Sequence, residues 1–146
     1  DLCHENESGM FCTLFYGIMD TETGEVTYAN AGHNPPYIIN KSGEPLQIES
    51  TGGIALGVME EMEFESATFT ASKGDSIFLY TDGVNEAMNE ADEEYSYERL
   101  EDYLKENSTG SITDMVNKNL ESVKEFAGTA PQSDDITVLA LRYLGE

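Results

Sequence analysis

The chain has 146 residues, 29 of them Asp or Glu and 7 Lys or Arg, which gives a formal net charge of −22 and a pI of about 4.1. A field of this sign repels phosphate backbones and anionic lipid headgroups, which argues against nucleic-acid and membrane-surface partners and favours cations as ligands. A hydrophobic share of 39% is sufficient for one packed domain and excludes a disordered acidic tail.

The first half of the chain predicts β-strands. Residues 10–19 are apolar or aromatic at nearly every position, which is typical of a strand covered on both faces. Alternating patterns bounded by turn residues predict the strands that follow, and the first four strands are expected to form an antiparallel meander. The predicted strands of this half are residues 10–19, 25–30, 36–40, 46–49, 62–72 and 76–80.

After Gly83 the apolar period changes from two to about 3.6, which indicates helices over residues 84–91 and 97–106. A third helix is expected to begin after Ser111, which forms a capping-box pattern with Asp114, and to end at Gly128. A loop then leads to a last apolar strand, residues 136–144. Strands first and helices late predict an α+β fold.

Targeting and redox features of the chain are few. No run of about 18 apolar residues is present, so no membrane span is expected, and the first cation is Lys41, which leaves no basic region for a secretory signal. We therefore expect a cytoplasmic location, with Cys3 and Cys12 as free thiols. Because the chain starts at Asp1 in polar sequence, we expect it to be a piece of a longer protein.

Carboxylates occur where predicted strands meet loops. Asp82 ends an apolar strand and precedes Gly83, and Asp134 and Asp135 precede the last strand in a loop that contains Pro131. If these strands are neighbours, the carboxylates suit a hard cation such as Mg²⁺ or Mn²⁺. The alternatives are that Asp82-Gly83 is a plain turn and that Asp134-Asp135 is a solvated loop.

A second candidate is the segment Gly-His-Asn-Pro-Pro at residues 32–36. His33 is suited to metal ligation or general acid chemistry because imidazole titrates near neutral pH. A single His beside two prolines also commonly fixes a loop through hydrogen bonds. The local patterns of a nucleophile elbow, a P-loop and a dinucleotide-binding turn are absent from the sequence.

Four segments occur in a characteristic order. They are MFCTLFYGIMDTETGEVTYANAGHNPP, GGIALGV, KGDSIFLYTDGVNEAMN and SDDITVLALR. Together they resemble the PPM (2C-type) protein serine/threonine phosphatases, in the bacterial branch that includes the sporulation stage II phosphatase and the regulators of stress sigma factors. The resemblance covers residues 10–142, and the four segments in order are far more specific than any one of them.

The resemblance implies an α-β-β-α sandwich of two antiparallel sheets with flanking helices, and two Mn²⁺ or Mg²⁺ ions at one edge. It implies that Asp82 and Asp134 are catalytic metal ligands and that Gly83 belongs to the same metal-binding segment. Asp135, His33 and Asn34 are then expected to lie behind or beside the ligands. The implied reaction is phosphoprotein hydrolysis by water that two ions about 3.5–4 Å apart activate.

One segment of the family pattern is missing. Relatives carry a G-D-x-S-G-H-G segment upstream of the first strand, and its aspartate bridges both metals, whereas this sequence has no such segment. We therefore expect residues 1–146 to be the C-terminal portion of a single N-terminally truncated phosphatase domain, without a complete metal site of its own. Open sheet edges in such a piece favour a homodimer.

The resemblance also implies partners. An anti-anti-sigma-factor-like phosphoprotein is the implied substrate, and an N-terminal sensor or regulatory region is the implied source of control in stress or sporulation-type signalling. No nucleic acid and no direct membrane contact are expected. The alternative is a catalytically silent interaction module of the same fold, against which the presence of both Asp82 and Asp134 argues.

Overall fold

Seven strands and three helices follow one another in the computed structural model, which describes Asn6 and residues 8–145. The prediction for Cys3 lies outside the described residues, whereas Cys12 is a free, exposed thiol as expected. The elements are β1 Leu14–Met19, β2 Glu25–Ala31, β3 Tyr37–Ile39, β4 Pro45–Gln47, β5 Ala67–Thr70, β6 Ser76–Tyr80, α1 Asp82–Asn85, α2 Ser96–Asn107, α3 Ile112–Ala127 and β7 Val138–Arg142.

The strands form two antiparallel sheets, one in the order β1-β2-β5 and one in the order β4-β3-β6-β7. The predicted four-strand meander is therefore wrong at one point, because β2 and β3 lie in different sheets. Between them Gly32 has a φ of +74°, and a Cβ there would lie 2.8 Å from the backbone nitrogen of Ala55. The left-handed glycine and the two prolines that follow it, which cannot donate to a ladder, redirect the chain into the second sheet.

The main core lies on the outer face of the second sheet, where α2 and α3 pack. Its strand side chains include Tyr37, Phe78 and Tyr80, all 1% exposed or less. The predicted third helix is confirmed at both ends: the Ser111 hydroxyl accepts a 3.0 Å hydrogen bond from the Asp114 backbone nitrogen, and the C-cap is Gly128. The helix residues of this core include Leu100, Leu104, Met115 and Val123.

The first strand differs from its prediction in burial. β1 presents Leu14, Tyr16 and Ile18 on its outer face, where they are 43%, 58% and 60% exposed. Its other face turns inward, so that Phe15 stacks on Tyr28 with ring centroids 5.5 Å apart. A continuous apolar run predicts two buried faces only if a second layer covers the sheet, and in the described part of the chain these three side chains stay exposed.

Three of the other predicted elements are markedly shorter in the structure. The strand predicted at residues 62–72 is confined to β5, which pairs only with the first four residues of β2, and the strand predicted at 136–144 is β7. The helix predicted at 84–91 ends at Asn85. The Asn89 side-chain oxygen accepts hydrogen bonds from the backbone nitrogens of Ala91 at 2.9 Å and Glu93 at 3.0 Å, which closes a loop in place of further helical turns.

Candidate metal centre

Asp82 follows the buried strand β6, and Thr81 connects the two. The Thr81 backbone nitrogen donates to the Thr137 carbonyl at 3.0 Å, and the Thr137 nitrogen donates to the Thr81 hydroxyl at 2.9 Å. That hydroxyl in turn donates to the Asp135 carbonyl at 2.9 Å. Thr81 therefore joins the end of β6 to the segment that enters β7, which brings the two predicted ligand segments to one edge of the sheet.

Gly83 allows the two segments to touch. A Cβ added at this position would lie 2.5 Å from the Asp135 carbonyl oxygen and 3.3 Å from the Asp134 carbonyl oxygen. The first distance is shorter than any side chain tolerates, so only glycine fits this approach without movement of the loop. The glycine of the Thr-Asp-Gly segment thus has a packing reason here that a plain turn does not require.

The side chains of Asp82 and Asp134 are exposed and make few hydrogen bonds. Asp82 Oδ1 accepts a 3.1 Å hydrogen bond from the Gly83 nitrogen, and Asp134 Oδ1 accepts a 2.6 Å bond from the Asp135 nitrogen. A carboxylate has about four acceptor positions, so each retains oxygen lone pairs for a cation. Mg²⁺ is commonly held by one or two carboxylates together with water and phosphate oxygens, and this donor set fits that pattern.

The described residues do not contain a complete all-protein metal cage. No cluster of three or more Asp, Glu, His or Cys side chains converges within Asn6 and residues 8–145. Asp135 contributes its carbonyl to Thr81, and its carboxylate role behind the ligands stays a prediction.

His33 is held in a hydrogen-bonded turn. Its backbone nitrogen donates to the Asn30 side-chain oxygen at 2.8 Å, and its ring Nδ1 lies 2.8 Å from the Asn34 carbonyl oxygen. Because a carbonyl only accepts, Nδ1 carries a proton in this arrangement. These contacts match the loop-fixing interpretation of His33, and a contribution of His33 or Asn34 to the metal centre stays a prediction.

Asn85 is a polar residue near Asp82 that no sequence motif indicates. This residue is 3% exposed, and its side-chain oxygen accepts a 3.1 Å hydrogen bond from the Asn34 amide. Asn85 lies three positions after Asp82, in the segment that the sequence predicts to be a helix. A buried asparagine needs a partner, and the asparagine of the Gly-His-Asn-Pro-Pro segment supplies it.

A cavity of about 490 Å³ with both polar and apolar walls lies next to the segments that carry Asp82 and Asp134, between α1, α3 and the loop before β7. Its walls include Gly83, Ala87, Val123, Ala127 and Pro131. Neither Asp82 nor Asp134 lines it, although their neighbours Gly83 and Ser133 do.

The Glu90 carboxylate is hydrogen-bonded to the loop that leads to Asp134. Its Oε1 accepts hydrogen bonds from the Thr129 backbone nitrogen at 3.0 Å and from the Thr129 hydroxyl at 2.5 Å. These bonds favour the charged carboxylate and hold the pKa of Glu90 below its usual value of 4.5, with the hydroxyl as the larger cause. The contact thus ties the loop after α1 to the loop after α3.

We expect Glu90→Gln to lower the midpoint of thermal unfolding at pH 7 by more than it does at pH 3.5. The folded-state pKa is depressed, so the stabilising contribution is present above the unfolded-state pKa and is lost as the pH falls through the folded-state pKa. Thermal scans monitored by circular dichroism at both pH values measure this. Glu125→Gln, an exposed glutamate on α3, is the matched control, and an equal effect of Glu90→Gln at the two pH values would contradict the prediction.

Known protein families include one that matches this chain over nearly its whole length. The family model described as Stage II sporulation protein E (SpoIIE) matches residues 1–144. The chain belongs to the SpoIIE family. The resemblance stated from the sequence is thereby confirmed.

Curated relatives of the SpoIIE-family chain match most of its length. Protein IcfG of Synechocystis is 34% identical over 137 residues, which are 92% of this chain and 21% of that protein. Phosphoserine phosphatase RsbU of Bacillus subtilis is 28% identical over 138 residues, 93% of this chain and 40% of RsbU. The chain thus spans less than half the length of these relatives.

Solved structures share the fold of this SpoIIE-family chain. The RsbU and RsbW domains of Rv1364c from Mycobacterium tuberculosis match with a TM-score of 0.74 and 28% identity, covering 89% of this chain and 35% of that one. The phosphatase domain of SpoIIE from Bacillus subtilis, solved with a fragment of its regulatory domain, matches with a TM-score of 0.79 and 18% identity, covering 97% and 40%. The predicted fold, two antiparallel sheets with flanking helices, is confirmed.

None of the helices within Asn6 and residues 8–145 combines the length and apolar character needed to cross a bilayer.

Proposed function

We propose that this chain is the C-terminal portion of a Mn²⁺- or Mg²⁺-dependent phosphoserine/phosphothreonine phosphatase domain. The observation that carries the proposal is the contact of Gly83 with the Asp134–Asp135 backbone, which brings both expected ligands to one edge of the second sheet. The name phosphoserine phosphatase, which RsbU of Bacillus subtilis bears, supports the same reaction class.

Asp82, Asp134, Thr81 and Gly83 have different roles at the proposed site. Asp82 and Asp134 would hold the cation through carboxylate oxygens, Thr81 fixes the separation of their two segments, and Gly83 permits the close approach. When bound, ions of this kind acidify water and neutralise phosphoryl oxygens. The two carboxylates also lower the local potential, so a phosphoprotein is attracted to this edge only after cations have compensated their charge.

The substrate we propose is an anti-anti-sigma-factor-like phosphoprotein, and the proposed source of control is an N-terminal sensor or regulatory region of the parent protein. The family assignment of the chain supports both. The cytoplasmic location and the homodimer stay predictions.

A second candidate is a catalytically silent interaction module. It is favoured by one observation: within the described residues, no group of three or more Asp, Glu, His or Cys side chains converges at this edge. The two candidates differ in whether upstream sequence supplies the remaining ligands.

The deciding experiment is Mn²⁺-dependent hydrolysis of p-nitrophenyl phosphate and of a phosphoserine peptide, by this chain and by a form extended upstream. We expect hydrolysis by the extended form and little or none by the chain alone. If both forms are folded by circular dichroism and neither hydrolyses either substrate at any Mn²⁺ concentration, the silent module is the correct assignment.

A further inference from the structure

Polar side chains connect the two sheets at the edge that carries Asp82. At the end of β2, the Asn30 side chain is 3% exposed; its amide nitrogen donates to the His33 carbonyl at 2.8 Å and its oxygen accepts from the His33 backbone nitrogen at 2.8 Å. The Asn30 backbone nitrogen donates to the Thr51 hydroxyl at 3.0 Å. The turn that presents Asn34 is therefore fixed to the end of β2 through both polar atoms of the Asn30 side chain.

A hydrogen bond joins this turn to α1, the helical turn that follows β6 of the second sheet. The Asn34 amide donates to the Asn85 side-chain oxygen at 3.1 Å, between residues 51 positions apart in the chain. Asn85 is the last residue of α1, whose first residue is Asp82. The bond thus joins a loop anchored on β2 to the single turn that begins with an expected metal ligand.

The turn α1 has few internal means of holding its position. It has four residues, and its N-cap Thr81 makes no side-chain capping bond. Isolated helical segments of this length are unstable in water, so α1 depends on tertiary contacts. Those contacts include the Thr81 bonds to the segment before β7, the fully buried Val84 side chain and the Asn34–Asn85 bond.

We propose that Asn34 and Asn85 are positioning residues that hold α1, and with it Asp82, against the first sheet. The metal-related part of this inference rests on the proposed function. A buried asparagine costs free energy unless its polar atoms are paired, and the pair has one bonding geometry, whereas an apolar contact tolerates sliding. The bond therefore fixes the orientation of the turn, and the fully buried Val84 supplies its attraction to the core.

The test compares Asn34→Ala with Asn34→Leu, which also removes the donor but retains side-chain volume. Hydrogen exchange at the Val84 and Glu86 amides, which bond within this turn to the Thr81 and Asp82 carbonyls, reports on α1 directly. We expect both variants to speed exchange at these amides by up to about tenfold, as loss of one net hydrogen bond allows. Mn²⁺ affinity of the upstream-extended form is expected to fall by a similar factor.

The control variant is Asn117→Ala, an exposed asparagine on α3, which should change neither measurement. Unchanged exchange at Val84 and Glu86 in Asn34→Ala would overturn the proposal, and so would wild-type exchange in Asn34→Leu, since packing would then hold the turn. If the wild-type extended form binds no Mn²⁺, the proposed function fails, while the exchange rates still decide the positioning role.

Discussion

Asp82→Asn is expected to reduce Mn²⁺-dependent hydrolysis by the upstream-extended protein more than 100-fold. The substitution preserves shape but removes the negative charge and replaces one of the two carboxylate oxygens with an NH₂ group, which donates hydrogen bonds and does not bind a cation. Loss of groups that merely support metal ligands costs about 10–100-fold in affinity or activity, so loss of a ligand charge should exceed that range. Asp134→Asn is expected to behave in the same way.

The measurements are initial rates over a Mn²⁺ titration and the Mn²⁺ dissociation constant from calorimetry. Asp92→Asn is the matched control: it makes the same change of charge in the exposed loop after α1, and its backbone φ of +59° is one that asparagine also adopts. Asp82→Asn with wild-type activity at low Mn²⁺ would remove Asp82 from the ligand set.

Gly83→Ala is expected to destabilise the fold by about 1–3 kcal/mol, the range for forcing extra atoms into packed structure, and to weaken Mn²⁺ binding as well. The new Cβ would lie 2.5 Å from the Asp135 carbonyl oxygen, and that atom belongs to backbone that Thr81 holds in place. The loop must therefore move away from α1 and take Asp134 with it. Urea unfolding followed by circular dichroism gives the stability, and calorimetry gives the affinity.

Gly110→Ala controls for the general effect of adding a methyl group to a glycine. The nearest atom to a Cβ at Gly110 is the Asn107 carbonyl oxygen at 3.8 Å, an ordinary contact distance. Little change is expected in that variant. If Gly83→Ala and Gly110→Ala have equal free energies of unfolding, the segment before β7 can move away from the segment after β6 without loss of stability. That result would contradict the prediction.

Local patterns were sufficient to predict that Asp82 and Asp134 lie at the ends of apolar strands, whereas their assignment as metal ligands came from the family resemblance and stays a prediction. An apolar strand that ends in Thr-Asp-Gly and a second that starts after Asp134 each carry a short-range pattern, and the pairing of Tyr80 with Val138 places them side by side as expected. Asn85 was missed because its importance depends on Asn34, 51 residues away. No periodicity within a window of a dozen residues contains that relation.

Burial was the least predictable property of the fold. The apolar residues of β1 indicate a strand, but whether Tyr16 and Ile18 are covered depends on a neighbouring layer and not on β1 itself. The division into two sheets likewise depends on the close contact of Gly32 with Ala55. Both are long-range properties, whereas the capped end of α3 at Ser111 is local and was predicted correctly.

The Thr81 contacts determine when the centre can assemble during synthesis. Thr81 and Asp135, which it binds, are 54 residues apart in the chain. Ribosomes add about 5–20 residues per second, so roughly 3–11 s pass between the emergence of the first carboxylate segment and the second. For that interval the end of β6 lacks β7 as its neighbour, because the three helices α1, α2 and α3 are synthesised between the two strands.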